Sequence, residues 1–244
     1  MRLALLSDLH GNIVALEAVL AHLARQGSFD RVVVAGDIAW AGPRPAEVVD
    51  RLREIGAEVI QGNTDAFFSL TPDEAPPGKR SDRFADHLQW MKDQLGPERV
   101  AYLANLPFSH VVTPEPGQDL LVVHANPVDM ERPLRPMMST AELDEILLET
   151  GEPHWAALAF GHLHIPFTMR WRERLLVDVA SAGLPMDGDH RAAYAVLTWE
   201  EGVWHATHHR VYYDVPVVAH EMRTNGMPRG RHFAQRLARA TYET

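Results

Sequence analysis

Residues 3–12 read Leu-Ala-Leu-Leu-Ser-Asp-Leu-His-Gly-Asn. An apolar run that ends at a Gly and an Asn is typical of a buried strand that leads into a loop. Residues i and i+2 of an extended segment point to the same side, so Asp8 and His10 are expected to share a face. This pair alone indicates little, because polar residues after a strand often only cap a turn or the next helix.

The same order of an apolar run and then polar residues recurs twice in the next fifty residues. A β-branched run ends in Gly36-Asp37, and a later one leads into Gly62-Asn63-Thr64-Asp65, with apolar residues at helical spacing before each run. This β-α-β-α-β alternation predicts an α/β protein with parallel strands. The carboxyl ends of such strands lie side by side, where open α/β sheets place their sites.

The middle of the chain predicts a cap. A linker rich in Pro, Gly and charge covers 71–80, and two helical patterns follow on either side of Gly96-Pro97. We expect residues 71–107 to form a helical cap insertion over the strand ends.

The remaining sequence predicts further strands. Runs at 108–112 and 120–123 are expected to pair, and the second ends at His124. A run at 156–160 leads to His162 and His164, again at i and i+2. Four strand patterns between 167 and 211 predict a second, largely antiparallel sheet before two C-terminal helices.

Composition limits the class of protein. The 244 residues, 46% hydrophobic and 23% charged, suit one large domain over 1–244. No apolar run approaches the ~18 residues of a membrane span, and the start lacks a signal-peptide pattern, so a cytoplasmic protein without membrane contacts is expected. The absence of cysteine excludes thiolate sites. A net charge of -10 disfavours binding of long nucleic acids.

Seven polar residues follow directly after predicted strands: Asp8, His10, Asp37, Asn63, His124, His162 and His164. The preference of polar residues for turns explains one such position easily, but it does not readily explain seven. Carboxylate, imidazole and amide oxygen suit Mn²⁺, Fe or Zn²⁺, and the sequence does not choose among them. Seven ligands suit two ions that share one carboxylate, about 3.5–4 Å apart, which clamp the attacking and leaving oxygens of a displacement at phosphorus.

These motifs resemble those of the calcineurin-like metallophosphoesterases. The family's five blocks occur in order: Asp8-Leu9-His10, Gly36-Asp37, Gly62-Asn63-Thr64-Asp65, His124 and Gly161-His162-Leu163-His164. Each block alone is a weak signal, but the set is specific and nearly spans the chain. Residues 123–127 and 183–189 look like those of small bacterial and archaeal phosphodiesterase-like members. The resemblance implies a four-layer α/β/β/α sandwich, with two mixed sheets flanked by helices.

The resemblance also implies roles for the ligands. The first ion would be held by Asp8, His10, Asp37 and His164, and the second by Asp37, Asn63, His124 and His162. Asp37 would bridge two divalent ions, which we expect to be Mn, Fe, Zn or Ni. A hydroxide between the ions would attack phosphorus, with Asp8, His10, Asp37, Asn63 and His124 as the catalytic residues.

Five further residues are expected near the ligands or the substrate: Asn12, Thr64, Asp65, Arg132 and Arg135. By the same resemblance Asp65 is a carboxylate behind the ligands, or else an acid at a helix N-terminus. Asn12 fits an N-cap of the first helix better than a substrate contact. Arg132 and Arg135, in the loop after His124, are candidates to meet a substrate phosphate, although exposed loop arginines are usually only solvated.

The chain departs from the family at two places. Many relatives have His where this chain has Thr64, and that His is thought to assist the leaving group. A hydroxyl cannot protonate an alkoxide, so weaker activity on poor leaving groups is expected, unless His10 or water substitutes; general-acid help is typically worth ~10²–10⁴-fold. Relatives also often have Asn-Pro-Gly-Ser where this chain has the residues 178–181, Asp-Val-Ala-Ser.

The predicted function is metal-dependent hydrolysis of phosphodiesters in small molecules or nucleotides. A phosphomonoesterase and a dinucleoside polyphosphate hydrolase are alternatives with the same chemistry. A metal-binding scaffold with little turnover is the alternative of another class, and it is disfavoured because all four imidazoles are kept. Nuclease action on long DNA is disfavoured by the charge. The sequence leaves a homo-oligomer open.

Overall fold

The computed structural model describes residues 1–71, 74 and 81–242. The strands are β1 (Arg2–Leu6), β2 (Arg31–Val34), β3 (Glu58–Val59), β4 (Ser109–Val112), β5 (Leu120–Val123), β6 (Ala157–Phe160), β7 (Phe167–Trp171), β8 (Arg174–Asp178), β9 (Ala192–Glu200) and β10 (Val203–Val211). The helices are α1 (Ile13–Arg25), α2 (Pro45–Glu54), α3 (Asp82–Ala104), α4 (Thr140–Leu147), α5 (Val215–Thr224) and α6 (Gly230–Arg239), and a 3-10 helix spans Asp65–Ser69.

The strands form two mixed five-stranded sheets, with the orders β10-β9-β1-β2-β3 and β4-β5-β6-β8-β7. In the first sheet β1, β2 and β3 are parallel, as the β-α-β-α-β pattern predicts, and β9 is antiparallel to β1 and β10. In the second sheet β5, β6 and β8 are parallel, while β4 and β7 are antiparallel at the edges.

The prediction that the last four strands form one antiparallel sheet is wrong. β7 and β8 join the second sheet, whereas β9 and β10 join the first. The reason lies in the burial of β9, which is apolar on both faces and buried along nearly its whole length. Such a strand needs cover on both sides and therefore lies inside a sheet, between β1 and β10, rather than at an exposed edge.

Alternation along β1 shows how the layers stack. Leu3 and Leu5 pack into a core shared with β5, β6 and β8 of the second sheet. Ala4 and Leu6 point the other way, into a core shared with α1, α2 and α3. Successive side chains of a strand face opposite sides, so one apolar run fills both cores. With α4 on the outer face of the second sheet, the architecture is the four-layer α/β/β/α sandwich, as predicted.

Helix α3 contains the predicted break between two helical segments. Gly96 has φ 71° and ψ 163°, outside the helical region, and Pro97 follows it. Pro lacks an N–H for the helix ladder, so the chain kinks here. The helix lies between β3 and β4 in sequence, but most of the predicted linker at 71–80 lies outside the described residues. The cap insertion and the single domain over 1–244 both stay predictions.

The two C-terminal helices pack on each other beside the loop that follows β8. Val218 and Met222 of α5 share an apolar cluster with Phe233 and Leu237 of α6, and Leu184 from the loop joins them. Helix α6 is thereby held next to the strand ends. Among the helices of the described residues, none is long and apolar enough to cross a membrane.

Candidate metal centre

The seven predicted ligands lie at the carboxyl ends of strands, on short loops with an uncommon backbone. Positive φ angles, from 46° to 71°, occur at Asp8, His10, Asp37, His162 and His164. A non-glycine residue in this region costs roughly 1–2 kcal/mol. Backbone bonds between neighbouring loops offset this cost: the Asp8 amide donates to the Gly36 carbonyl (3.0 Å) and the His10 amide to that of Asp37 (2.9 Å). Strain of this kind concentrates at functional sites.

The first group of ligands comprises Asp8, His10, Asp37 and His164, which are all buried. One possible ligand atom from each lies within 4.8 Å of all the others. His164 Nε2 is 3.2 Å from Asp8 Oδ1 and 3.3 Å from His10 Nε2. His10 Nε2 is also 3.7 Å from Asp37 Oδ2. Two imidazole nitrogens that face each other at this distance suit a shared cation.

The second group joins the first through Asp37. His124 Nε2 lies 3.0 Å from Asn63 Oδ1, 3.3 Å from His162 Nδ1 and 3.6 Å from Asp37 Oδ1. Asp37 therefore presents Oδ2 to His10 and Oδ1 to His124. A carboxylate placed in this way faces both groups at once.

Backbone carbonyls orient the imidazoles of both groups. Nδ1 of His10 donates to the Trp40 carbonyl (2.7 Å), Nδ1 of His124 to the Ala35 carbonyl (2.8 Å), and Nδ1 of His164 to the carbonyl of Leu184. A hydrogen on Nδ1 leaves the lone pair on Nε2, which is the atom that faces the cluster. His162 is held the other way round, because its Nε2 donates to the Glu131 carbonyl (3.1 Å) and Nδ1 faces His124.

Burial and charge place opposite pKa shifts side by side in this cluster. Burial raises the pKa of Asp8, but the imidazoles around it, His164 first, outweigh burial and hold the pKa well below its ordinary value. Burial lowers the pKa of His10 to about 4. Burial also disfavours the charged form of His124 and of His164, yet the carboxylates of Asp37 and Asp8 raise their pKa values. A divalent cation binds ionised carboxylates and neutral imidazoles, so binding at this cluster would release the protons that the raised pKa values favour on His124 and His164.

One buried carboxylate oxygen of the cluster indicates that a cation fits there. Asp8 Oδ1 is buried, and no described residue forms a hydrogen bond with it. A buried carboxylate oxygen without a partner is costly in a protein. Because this oxygen points at His164, a bound cation would satisfy it, and the residues present fit a metal ion.

Two glycines allow the loops to approach this closely. A Cβ on Gly62 would lie 2.3 Å from the Asp37 amide nitrogen and Oδ1, and one on Gly161 would lie 2.0 Å from Ser7 Oγ and 2.5 Å from Asp8 Oδ2. Real Cβ atoms do not approach so closely. These positions therefore need glycine for space.

Asp65 combines the two roles considered for it. It begins the 3-10 helix, and its buried carboxylate accepts hydrogen bonds from the amides of Asp37 (2.8 Å), Ile38 (3.0 Å) and Gly62 (2.9 Å). These bonds tie together the loops that carry Asp37 and Asn63. Burial, with the nearby Asp37 charge, raises the pKa of Asp65 to about 7.

The other residues expected near the centre take different positions. Asn12 caps α1 by accepting from the Ala15 amide (3.0 Å), and it donates to the Gly183 carbonyl (2.9 Å). Thr64 donates its amide to Asp37 Oδ1 (2.9 Å), and its buried hydroxyl has no partner.

The loop after His124 places a glutamate, rather than its arginines, at the centre. Glu131 Oε1 accepts from Asn63 Nδ2 at 3.2 Å, so Glu131 orients the Asn63 amide, a role that the sequence did not indicate. Arg132 instead lies 3.8 Å from Glu145 and 3.7 Å from Glu149. Arg135 is exposed, and the described lining of the cavity includes neither arginine.

The centre opens into a cavity of about 780 Å³. Its lining includes the ligands His10, Asp37, Asn63, His162 and His164, the aromatic residues Trp40, Phe67, Phe84, His87, Phe233 and Tyr242, and the arginines Arg83, Arg229 and Arg236. The sequence indicated none of these aromatic residues and arginines as part of the site. Trp40 and Phe67 lie close in sequence to Asp37 and Asp65, and the others come from α3, α6 and the segments next to α6.

Comparison with known proteins identifies the family. The model of the calcineurin-like phosphoesterase superfamily domain matches residues 1–202. The chain belongs to this superfamily. A crystal structure of a metallophosphoesterase from Sphaerobacter thermophilus is similar to it with a TM-score of 0.75 and 27% identity, over 99% of this chain and 100% of that one. The uncharacterized protein MJ0912 of Methanocaldococcus jannaschii is 26% identical in an alignment of 242 residues, and the alignment covers 93% of each chain.

A shorter match concerns the phosphodiesterase YfcE of Escherichia coli. It is 38% identical in an alignment of 76 residues, and the alignment covers 27% of this chain and 41% of YfcE. Together with the family match, it supports a hydrolase of phosphate esters. The chain is such a hydrolase, with a buried Asp and His cluster that can bind metal.

Proposed function

We propose that this chain hydrolyses phosphodiesters of small molecules or nucleotides, with two divalent metal ions bound at the strand ends. The observation that carries the proposal is the position of Asp37, whose two carboxylate oxygens face the two groups of ligands. Asp8, His10 and His164 would complete the site at Oδ2. Asn63, His124 and His162 would complete the one at Oδ1.

Two bound ions would supply Lewis-acid activation of the phosphoryl group and lower the pKa of a water molecule. The protein prepares the site by fixing the imidazoles against backbone carbonyls. Because the Nδ1 hydrogens of His10, His124 and His164 are already donated, each ring has one orientation and one lone pair to offer. Mn²⁺, Fe²⁺, Zn²⁺ and Ni²⁺ all suit this mixed set of nitrogen and oxygen ligands.

Proton delivery to the leaving group is the weak part of the site. At the position where relatives have His, Thr64 presents only a hydroxyl. His10 does not substitute, because both of its ring nitrogens are engaged, with the Trp40 carbonyl and with the ligand cluster. The leaving group would then take its proton from water. Diesters with acidic leaving groups are therefore expected to react fastest.

A direct test compares bis(4-nitrophenyl) phosphate with 4-nitrophenyl phosphate in the presence of each of the four metals. We expect faster turnover of the diester, two metal ions per chain by elemental analysis, and a loss of both in Asp37→Ala. Asp86→Ala, which removes an exposed acid on α3, serves as the matched control.

Four results would contradict this proposal. Equal rates for the wild-type protein and Asp37→Ala would show that the hydrolysis does not depend on the shared carboxylate. Metal binding without turnover would indicate a scaffold rather than an enzyme. Faster turnover of the monoester would indicate a phosphomonoesterase. One ion per chain at full activity would overturn the dinuclear site.

A further inference from the structure

Three arginines line the cavity beside the metal centre. Arg83 comes from α3, Arg229 precedes α6, and Arg236 lies on α6; we call them the arginine cluster. Within residues 1–71, 74 and 81–242, none of the three forms an ion pair with a carboxylate. Other arginines of this acidic chain do, as Arg44 does with Glu221. Arg83 and Arg229 are exposed and Arg236 is half-buried. Together they give one wall of the cavity a positive charge in a chain of net charge -10, and such a wall favours an anion.

Arg236 is the member of the cluster with the strongest need for a partner. Among the residues that the structure describes, its buried Nε has no hydrogen-bond partner, and its Nη2 contacts the Met186 sulfur at 4.0 Å. The guanidinium also lies 5.4 Å from the centre of the Tyr242 ring. Burial and the charge of Arg229 lower the pKa of Arg236 below its ordinary range. An anion would accept the unused hydrogen bonds and relieve the repulsion between the two cations.

The contacts of Arg236 place the arginine cluster next to the metal centre but not within it. The Met186 amide donates to the carbonyl of His164 at 3.3 Å, so the loop that touches Arg236 also holds a predicted ligand. Tyr242 links the two parts again, because its hydroxyl donates to the Leu163 carbonyl at 2.8 Å. No ligand oxygen accepts a hydrogen bond from Arg236 within the described part of the chain. The Tyr242 ring relates the two, because its centre is 5.4 Å from the Arg236 guanidinium and 6.2 Å from the centre of the His164 ring. A phosphate that accepts from Arg236 would lie beside the metal centre, where a second phosphate of the substrate can reach.

The rest of the cavity wall suits a flat ring. Trp40 packs against Phe67, Phe84 and His87, with ring centres 5.1, 5.4 and 4.6 Å apart, and Phe233 continues the wall 5.2 Å from His87. These residues line the same cavity as the arginine cluster. Phe67, His87 and Phe233 are buried behind this wall, whereas Trp40 and Phe84 are only partly buried and can offer a ring face on which a nucleobase stacks.

We propose that the arginine cluster binds a second, non-scissile phosphate of the substrate, and that the substrate is a nucleotide-type phosphoester. This inference rests on the proposed phosphodiesterase function and specifies its substrate class. Arg229, Arg236 and Tyr242 lie beyond residues 1–202, the part that matches the family model. The C-terminal helix would thus supply a specificity element outside the matched domain.

The test uses two chromogenic esters that differ by one phosphate: thymidine 5′-(4-nitrophenyl phosphate) and the same compound with a 3′-phosphate. For the wild-type protein we expect a lower KM and a higher kcat/KM with the 3′-phosphate. Arg236→Met, which keeps an apolar stem of similar length, is expected to reduce this preference by about 10- to 100-fold, chiefly through KM. Arg236→Lys should retain part of the preference, because it keeps the charge.

A matched control and a binding measurement complete the design. Arg239→Met removes an exposed arginine from the same helix and should keep the wild-type preference. Titration calorimetry with thymidine 3′,5′-bisphosphate and thymidine 5′-phosphate reports the same preference without turnover. Thermal unfolding of each variant checks that the fold is intact.

The outcomes separate this inference from the proposed function. Turnover of both esters with no preference for the 3′-phosphate, or a preference that Arg236→Met leaves intact, would overturn the arginine cluster as a phosphate site. A bisphosphate preference in calorimetry that depends on Arg236, without turnover of either ester, would support the cluster and refute the diesterase.

Discussion

Asp65 is expected to hold the metal centre together, although it is not itself a ligand. Its carboxylate accepts three buried backbone hydrogen bonds, two at Oδ2, from Asp37 and Gly62, and one at Oδ1, from Ile38. We predict that Asp65→Ala and Asp65→Asn destabilise the protein to different degrees, because they remove different numbers of these bonds.

The magnitudes follow from the number of bonds lost. Asp65→Ala leaves three buried amides without an acceptor, and each bond to a charged group is worth about 1.5–3 kcal/mol, so a loss of at least about 4 kcal/mol is expected. In Asp65→Asn the amide oxygen can replace Oδ2 and keep two bonds, while its NH₂ group faces the amide of Ile38. That substitution should cost less than Asp65→Ala, because the neutral amide also escapes the burial cost that raises the pKa of Asp65. Metal affinity should fall by about 10–100-fold, as is typical for groups that orient ligands.

The assay is urea unfolding with a chelator present, followed by Mn²⁺ titration of the folded variants. Measurements at pH 8 keep Asp65 largely ionised, since burial and the charge of Asp37 raise its pKa to about 7. Asp86→Ala again provides the control. A decrease of less than about 1 kcal/mol in the free energy of unfolding of both Asp65 variants, or an equal decrease in the two, would contradict this role of the Asp65 carboxylate.

Three further predictions concern single positions. Gly161→Ala would place a methyl carbon 2.0 Å from Ser7 Oγ, so it should cost about 1–3 kcal/mol from overpacking and weaken metal binding. Gly226→Ala adds a methyl in open space at φ 84°; it should cost only about 1–2 kcal/mol and leave metal affinity unchanged in the same titration. Burial raises the pKa of Asp178 well above its ordinary value, so the wild-type protein loses stability as the pH rises above about 4, by up to about 1.4 kcal/mol per pH unit. Asp178→Asn has no titrating group at this position, so its free energy of unfolding, relative to that of the wild type, should increase between pH 5 and 8 in urea unfolding. A difference between the two proteins that does not change with pH would contradict this. Thr64→His should raise kcat for esters with alkyl leaving groups, by up to ~10²-fold, and much less for 4-nitrophenyl esters; equal effects on both would argue against a missing general acid.

The sequence predicted most elements of the fold because their signals are local. The apolar run of β1 and the helical spacing of α1 both depend on residues a few positions apart. The partner of β9 was not predictable in this way. The place of β9 beside β1 leaves both faces of β9 covered, by helices on one side and by the second sheet on the other, and that arrangement arises only when the layers assemble.

The candidate ligands were predictable because each follows directly after a strand. Strand ends at one edge of a sheet bring their loops together, so counting polar residues after apolar runs is enough to nominate the set. Glu131 was not nominated, since no strand precedes it. It reaches Asn63 only because the loop around Asn126 folds back, with the Asn126 side chain accepting from the Val128 and Asp129 amides.

The opening segment, residues 3–12, illustrates the division between sequence and tertiary structure. Its sequence determined a strand, a loop and a candidate pair of ligands, because an apolar run and the turn residues after it act over short distances. The left-handed backbone at Asp8 and His10, however, exists only where the loops after β1 and β2 bond to each other. The same holds for the arginine cluster, which depends on how α6 packs beside the strand ends. Long-range packing has no local sequence signal, so tertiary structure alone decided how the ligands face one another and what surrounds them.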